Sequence, residues 1–291
     1  MYLFGLSKFA PKFVLSLAYK VNLNYHYYTS ELTHEADCPI CSCKTAKVFH
    51  YGRDSYATGN VLLLDEVSKG HKKYCCTNCR HIYALWLRKD LDTVGNLYSN
   101  IYSGESEVYT ENWRKEIQKQ MVRIAKETFY SGYPKKSEIP FVALDFSCGA
   151  NFKAAYELRK EGIESYCCDI LPLLPYDNNI FFKYDDDFVK KFRNKFHGLT
   201  SVDVLEHLNT PIEDFKLFNQ MLKLNGVMVH YSPIIDYMPL FGSHVDHVFH
   251  TNFFSKKSLK IACEKTGFEL IGIVIKKLGS EYYIFKKNRE V

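Results

Sequence analysis

Residues 141–151 read FVALDFSCGAN, an apolar run that closes on an acid and opens into a short loop of small residues. The run has the length of a buried strand, and residues 151–160 have the period of a helix, with Phe152, Ala155 and Leu158 on one face. Gly162 closes that helix and residues 163–169 resume a strand. Further strands are expected at 180–184, 199–205 and 227–231. Between the last two lies a helix with Thr210 as N-cap, Pro211 in the first helical position, Glu213 completing a capping box and Gly226 after its end. A second helix opens at Ser255 and runs to Thr266 with Gly267 at its close, and two β-type runs, 268–275 and 281–285, finish the chain. Such alternation implies a parallel sheet with covering helices. The expected fold is α/β, a doubly wound, mostly parallel sheet of seven strands ending in one hairpin, over residues 101–291.

Two cysteine knuckles precede this sheet: Cys38-x-x-Cys41 within CPICSC and Cys76-x-x-Cys79 within CCTNC. A two-residue spacer lets both sulfurs of a tight turn face one ion, and two such pairs supply four thiolates to a closed, structural zinc site. Strand-like segments follow each knuckle, at 47–51 and 80–87, so residues 37–100 read as a small zinc ribbon. Cys43 and Cys75 flank the pairs and can stand in for a ligand.

The ten cysteines lack the density of a small secreted disulfide scaffold, which points to a reducing compartment, the cytoplasm. No run of ~18 apolar residues suggests a transmembrane segment. Residues 1–36 form an amphipathic lead segment. Its first 21 residues mix Leu3, Phe4, Leu6, Phe9 and Phe13 with Lys8, Lys12 and Lys20, the pattern of a helix docked on the protein or of a peripheral membrane contact. The net charge is +5, of which residues 1–100 hold +4 (12 Lys/Arg against 8 Asp/Glu). That is well short of the dense basic patch that nucleic acid demands.

Doubly wound sheets bind ligands beyond the carboxyl ends of their strands, where strand order reverses. Acids gather at those ends: Asp145 on the first strand, Asp169 on the second, Asp185 after the third, and Glu206 with His207 at the end of TSVDVLEHL, residues 200–208. Gly149 allows the backbone to approach a ligand closely, and an acid one strand later can accept from ribose hydroxyls.

At these residues the chain resembles the class I S-adenosylmethionine-dependent methyltransferases, from about residue 113 onward. The matching stretches are LDFSCGAN, CCDI (167–170) and SVDVLEHL (201–208), the last similar to the fourth-strand motif of the ubiquinone-pathway O-methyltransferases. The resemblance implies a Rossmann-like fold with S-adenosylmethionine as cofactor. It further implies that Asp145, Ser147, Cys148 and Gly149 line the methionine end, Asp169 with Ile170 holds the ribose, Asp185 lies near adenine, and Asp203 belongs to the same site. The family's loop is usually Asp-x-Gly-x-Gly-x-Gly, and here Ser147 and Asn151 stand at the first and third glycine positions. With a four-cysteine module in front, the likeness narrows to the zinc-bearing sugar C-methyltransferases and their uncharacterised relatives. Those carry a histidine in a Glu-His-x-x-Tyr-Phe-Ser-like segment after the fifth strand, to which FHTNFFS (249–255), with His250, is similar.

Methyl transfer from a sulfonium is an in-line displacement that needs a positioned acceptor and a group to take its proton. A neutral imidazole suits that task, and His207, His250 and His247 are the candidates, with His244 beside them. His244, His247 and His250, three residues apart, could alternatively gather a second metal. The expected function is methyl transfer to a small-molecule acceptor, a sugar or nucleotide-linked sugar. Two other readings stay open: a noncatalytic zinc-ribbon adaptor with a degenerate methyltransferase domain, and an RNA-modifying methyltransferase, against which the weak charge excess speaks.

Overall fold

The computed structural model describes residues 32–34, 37–51, 72–84, 107–131, 140–149, 153–170, 180–233, 250–277 and 280–291. The lead segment 1–21, His244, His247 and Asn151 lie outside the described residues.

Each knuckle feeds a strand, as a zinc ribbon requires. Strands β1 (Leu32–Thr33), β2 (Ala46–Tyr51), β3 (Lys72–Cys76) and β4 (Ile82–Ala84) pair antiparallel in chain order. Next come α1 (Glu107–Ser131), β5 (Val142–Phe146), α2 (Lys153–Lys160), β6 (Glu164–Asp169), β7 (Phe181–Lys183), α3 (Asp186–Lys191) and β8 (Phe196–Val202). A 3-10 turn, Leu205–His207, leads into α4 (Pro211–Met221) and β9 (Leu222–Ser232). The chain closes with β10 (Asn252–Phe253), α5 (Lys256–Thr266), β11 (Phe268–Lys277) and β12 (Ser280–Lys287).

The large sheet has the order β11-β12-β9-β8-β5-β6-β7. β5 pairs in parallel with both β6 and β8, so the chain winds outward on one side of β5 and then returns to the other. The expected seven-stranded, mostly parallel sheet is therefore present, with β12 antiparallel to both β9 and β11 as the terminal hairpin. All five residues of β5 are buried, as they must be with helices on both faces. β10 departs from this sheet: it pairs antiparallel with β4 and completes the small sheet as its fifth strand.

Three local expectations need correction. β8 ends at Val202, three residues early, because Asp203 adopts φ +54 and its amide donates to Tyr231 O at 2.9 Å, turning the chain into the 3-10 turn. Glu206 and His207 therefore sit on that turn, beyond the strand. Thr210 makes no side-chain cap: Asp214 reaches back instead, accepting from the Thr210 amide at 3.2 Å and its hydroxyl at 3.4 Å. Finally, α4 stops at Met221 and β9 begins at once, leaving Gly226 within that strand, where the pairing steps from Leu222 to Val227 across a bulge. The end of α4 is closed by a buried lysine: Lys287 Nζ donates to Asn219 O and Leu222 O, each at 2.7 Å, and meets Glu290 at 2.8 Å. The α5 boundaries match the expectation, with a Ser255–Ser258 capping box and Gly267 at φ +74.

Helix α1 has no counterpart among the expected elements. Its Ile117, Met121, Ala125 and Phe129 are buried against one face of the large sheet. The approach is close enough that a Cβ on Gly198 of β8 would run into the Phe129 ring, which itself stacks on Phe141 at 5.4 Å. Among the described residues no helix is long and apolar enough to cross a membrane.

Candidate functional site

Winding reverses between β5 and β8, the place where doubly wound sheets bind ligands beyond the carboxyl ends of their strands. Beyond β5, Ser147 and Gly149 take φ +54 and +62, so the loop uses left-handed backbone that glycine adopts freely and serine only under constraint. Two hydrogen bonds supply that constraint: Gly149 N donates to Asp169 Oδ2 at 2.9 Å, and Cys148 N to Cys168 O at 3.1 Å. The loop is thus tied to the end of β6 despite Ser147. Among the described residues, a Cβ built on Gly149 would meet nothing within 4 Å.

Asp145 lies beneath this loop, 4% exposed, with Thr200 Oγ1 donating to its Oδ1 at 3.2 Å. Burial pushes its carboxyl up to about 7. Asp169 is also buried, at the end of β6, while Ile170 beside it is half exposed. Cys148 sits at the loop, its thiol held above the usual range by a hydrogen bond with Cys167 and by burial. These positions lie together at the carboxyl ends of the adjacent strands β5 and β6, and their chemistry fits a ligand carrying a ribose and a charged amino-acid end. Asp185 is exposed and occupied otherwise: its Oδ1 caps α3 by accepting from Phe188 N at 3.0 Å. Asp203, half-buried, stands at the turn after β8.

A second group gathers at the same edge of the sheet. The 3-10 turn delivers Glu206 and His207, and the segment before β10 delivers His250. One ligand atom from each of the three lies within 4.8 Å of the others, and the two imidazoles meet edge-on with centroids 4.7 Å apart. Glu206 is 1% exposed, so it points into the protein and is no solvated strand terminus. Ser232 Oγ donates to its Oε2 at 2.7 Å. Burial and the neighbouring Asp203 lift its carboxyl well above the usual range. The two segments are stitched by Thr251, whose amide donates to Glu206 O at 2.7 Å and whose hydroxyl donates to Leu208 O at 3.2 Å.

Cys38, Cys41, Cys76 and Cys79 place all four sulfurs within 4.8 Å of one another. Cys38 and Cys79 are 3.6 Å apart and Cys41 and Cys76 3.5 Å, far beyond a disulfide bond of about 2.05 Å. A tetrahedral ion with arms of about 2.3 Å sets sulfurs about 3.8 Å apart, so the quartet fits a zinc-sized ion. The flanking thiols turn elsewhere: Cys43 to Thr45 and Thr77, Cys75 toward Arg80 O at 3.9 Å.

This module also holds the crevice segment, a link that spacing in the sequence did not reveal. Lys73 of β3, fully buried, donates to His250 O at 2.9 Å and lies over the Phe253 ring. Ala84 N donates to Thr251 O at 2.9 Å, His81 meets Asn252 Oδ1 at 3.1 Å, and Ser255 Oγ donates to Cys79 O at 2.6 Å.

A family model described as a methyltransferase domain matches residues 109–272. Among solved structures, a SAM-dependent methyltransferase from Archaeoglobus fulgidus aligns with a TM-score of 0.46 and 17% identity, covering 66% of this chain and 99% of that one. The 1,6-didemethyltoxoflavin-N1-methyltransferase of Burkholderia thailandensis, bound to 1,6-didemethyltoxoflavin and S-adenosylhomocysteine, aligns with a TM-score of 0.49 and 12% identity, covering 73% and 98%. No curated protein matches significantly.

Proposed function

The chain belongs to the family of methyltransferase domains, and from that premise we propose that it moves the methyl group of S-adenosylmethionine onto a small polar acceptor, a sugar or nucleotide-linked sugar. The observation that carries the cofactor assignment is the Gly149–Asp169 hydrogen bond, which shapes an open, left-handed loop between the ends of adjacent strands. Asp169 accepts from the ribose hydroxyls, and Asp145, Ser147 and Cys148 bound the methionine end. S-adenosylmethionine supplies an electrophilic methyl on a sulfonium. The protein aligns an acceptor behind that methyl, excludes water and disposes of the acceptor's proton. Glu206, His207 and His250 stand on the acceptor's side and handle that proton. The cysteine quartet holds a structural zinc ion, closed to substrate by its four thiolates.

Calorimetry with S-adenosylmethionine on the purified chain tests the reading. Stoichiometric binding is expected. A protein that folds, holds its zinc and takes up no S-adenosylmethionine would instead be the adaptor.

A further inference from the structure

We propose that Glu206, His207 and His250 form a second metal site, distinct from the cysteine quartet, that takes a divalent first-row transition ion and presents it to the acceptor. Among the described residues, these three and the cysteine quartet are the two groups whose ligating atoms converge this closely. Their chemistry differs. Four thiolates make a closed, soft site, whereas two imidazoles and a carboxylate are borderline ligands that leave a position open, the arrangement of catalytic zinc sites.

The backbone brings these ligands together from two directions. Adjacent residues on a strand point to opposite faces, so Glu206 and His207 could not share an ion if β8 continued; the 3-10 turn after Asp203 removes that obstacle. His250 arrives on the segment that leads into β10, and the Thr251 amide bonded to Glu206 O fixes its backbone against the same turn. Ligand bonds of about 2.1 Å set ligating atoms roughly 3.4 Å apart. The three ligating atoms, already within 4.8 Å of one another, have about 1.4 Å at most to close.

Partners behind the ligands are in place too. Ser232 Oγ holds Glu206 Oε2 at 2.7 Å, a contact of the kind that orients metal ligands, and Lys73 Nζ fixes the backbone of His250 through its carbonyl at 2.9 Å. Glu206 is 1% exposed, so its carboxyl meets the two imidazoles from inside the protein and away from bulk water.

The site deepens, and rests on, the methyl-transfer reading, because it selects an acceptor that ligates through oxygen. On the ion, the acceptor hydroxyl loses its proton to water more readily. Its oxygen pair then forms the bond to the methyl carbon as the carbon–sulfur pair returns to sulfur, leaving a neutral thioether.

The test is a titration of the full chain, its cysteine site filled with zinc, with Co²⁺ alone. The expected result is one further equivalent bound, with visible ligand-field absorption and without the near-ultraviolet band of thiolate-bound cobalt. His250→Ala and Glu206→Gln should abolish that signal. Ser232→Ala, which removes no ligand, should weaken it roughly 10- to 100-fold and so covers the case in which a ligand variant fails to fold. Binding of cobalt only with the thiolate band, or an unchanged signal in Ser232→Ala and His250→Ala alike, overturns the proposal. S-adenosylmethionine calorimetry on the same samples separates the two readings: cofactor bound without a second cation sinks this site alone, and a second cation without cofactor sinks the methyl-transfer reading alone.

Discussion

Lys73 and His250 stand 177 residues apart in the chain, yet the lysine's ammonium donates to the histidine's carbonyl at 2.9 Å. A strand of the cysteine-bearing sheet thereby fixes the segment that brings an imidazole to the crevice. Because β10 also pairs with β4, the four-cysteine cluster under the knuckles is mechanically linked to the segment that carries His250. One tightly held zinc per chain is expected by elemental analysis, bound as thiolates by Cys38, Cys41, Cys76 and Cys79. Stripping it with a chelator should raise amide hydrogen exchange at residues 250–255 as well as in the knuckles. Exchange confined to the knuckles would break the link, and purified protein without stoichiometric metal would remove the site.

Asp169 is asked to do two jobs, since its Oδ2 already accepts from the Gly149 amide. Asp169→Ala removes both the loop's tether and the proposed acceptor of the ribose hydroxyls, and should weaken S-adenosylmethionine binding by roughly 1–3 kcal/mol in calorimetry. Asp169→Asn keeps one acceptor oxygen and should lose less. Parent-like affinity in the alanine variant would place the cofactor elsewhere.

Asp145 carries a pH dependence whose sign follows from its environment. Its carboxyl stands at about 7 in the folded protein, against about 3.9 in an unfolded chain, because burial disfavours the charge. The folded state therefore binds this proton more tightly, and the stability that binding contributes is full below about pH 4 and lost as pH rises through 7. A difference of about 3 between the two values corresponds to a loss on the order of 4 kcal/mol. Asp145→Asn, neutral and nearly isosteric, should melt higher than the parent at pH 8 and with it at pH 4. An equal melting difference at both pH values would mean that Asp145 is not the group responsible.

Gly198 shows how closely α1 lies on the sheet, since any Cβ there would strike the Phe129 ring. Gly198→Ala should lower stability by about 1–3 kcal/mol in denaturant unfolding, the usual cost of overpacking a core. Adding Phe129→Leu should recover part of that loss. Additive losses in the double variant would show that the contact is not the cause.

The sheet was legible because its parallel strands read as apolar runs, some with a helical period behind them, as FVALDF followed by Ala155 and Leu158 illustrates. The cysteine pairs were legible for a similar reason, as the spacing of two residues encodes the turn. Helix α1 went unread, although Ile117, Met121, Ala125 and Phe129 recur every four residues and Gly132 and Pro134 follow its end. The end of β8 could not be read either. Asp203-Val-Leu continues the apolar pattern, and only the left-handed backbone at Asp203 breaks the strand. That break turns Glu206 inward and puts it beside His250, 44 residues away. Such proximity is a property of the tertiary fold and has no local signature, and the same holds for Thr200, Ser232 and Lys73, which support the site from other strands.

His207 and His250 meet edge-on at 4.7 Å, and both belong to the proposed acceptor side. Neither touches the loop at Gly149 in any described hydrogen bond, so removing either imidazole should spare cofactor binding. Whether an imidazole takes the acceptor's proton itself or holds the cation that acidifies the acceptor, its loss removes the group that makes the oxygen nucleophilic. Such a loss lowers turnover by ~10²- to 10⁴-fold. His207→Ala and His250→Ala should therefore show that drop in single-turnover methyl transfer at saturating S-adenosylmethionine, with calorimetric affinity for the cofactor within about twofold of the parent. A drop matched by an equal loss of cofactor affinity would mark the histidines as supports of the whole crevice. Parent-like turnover in both variants would return Glu206 and His207 to packing, and the acceptor's proton would then have to leave by another route.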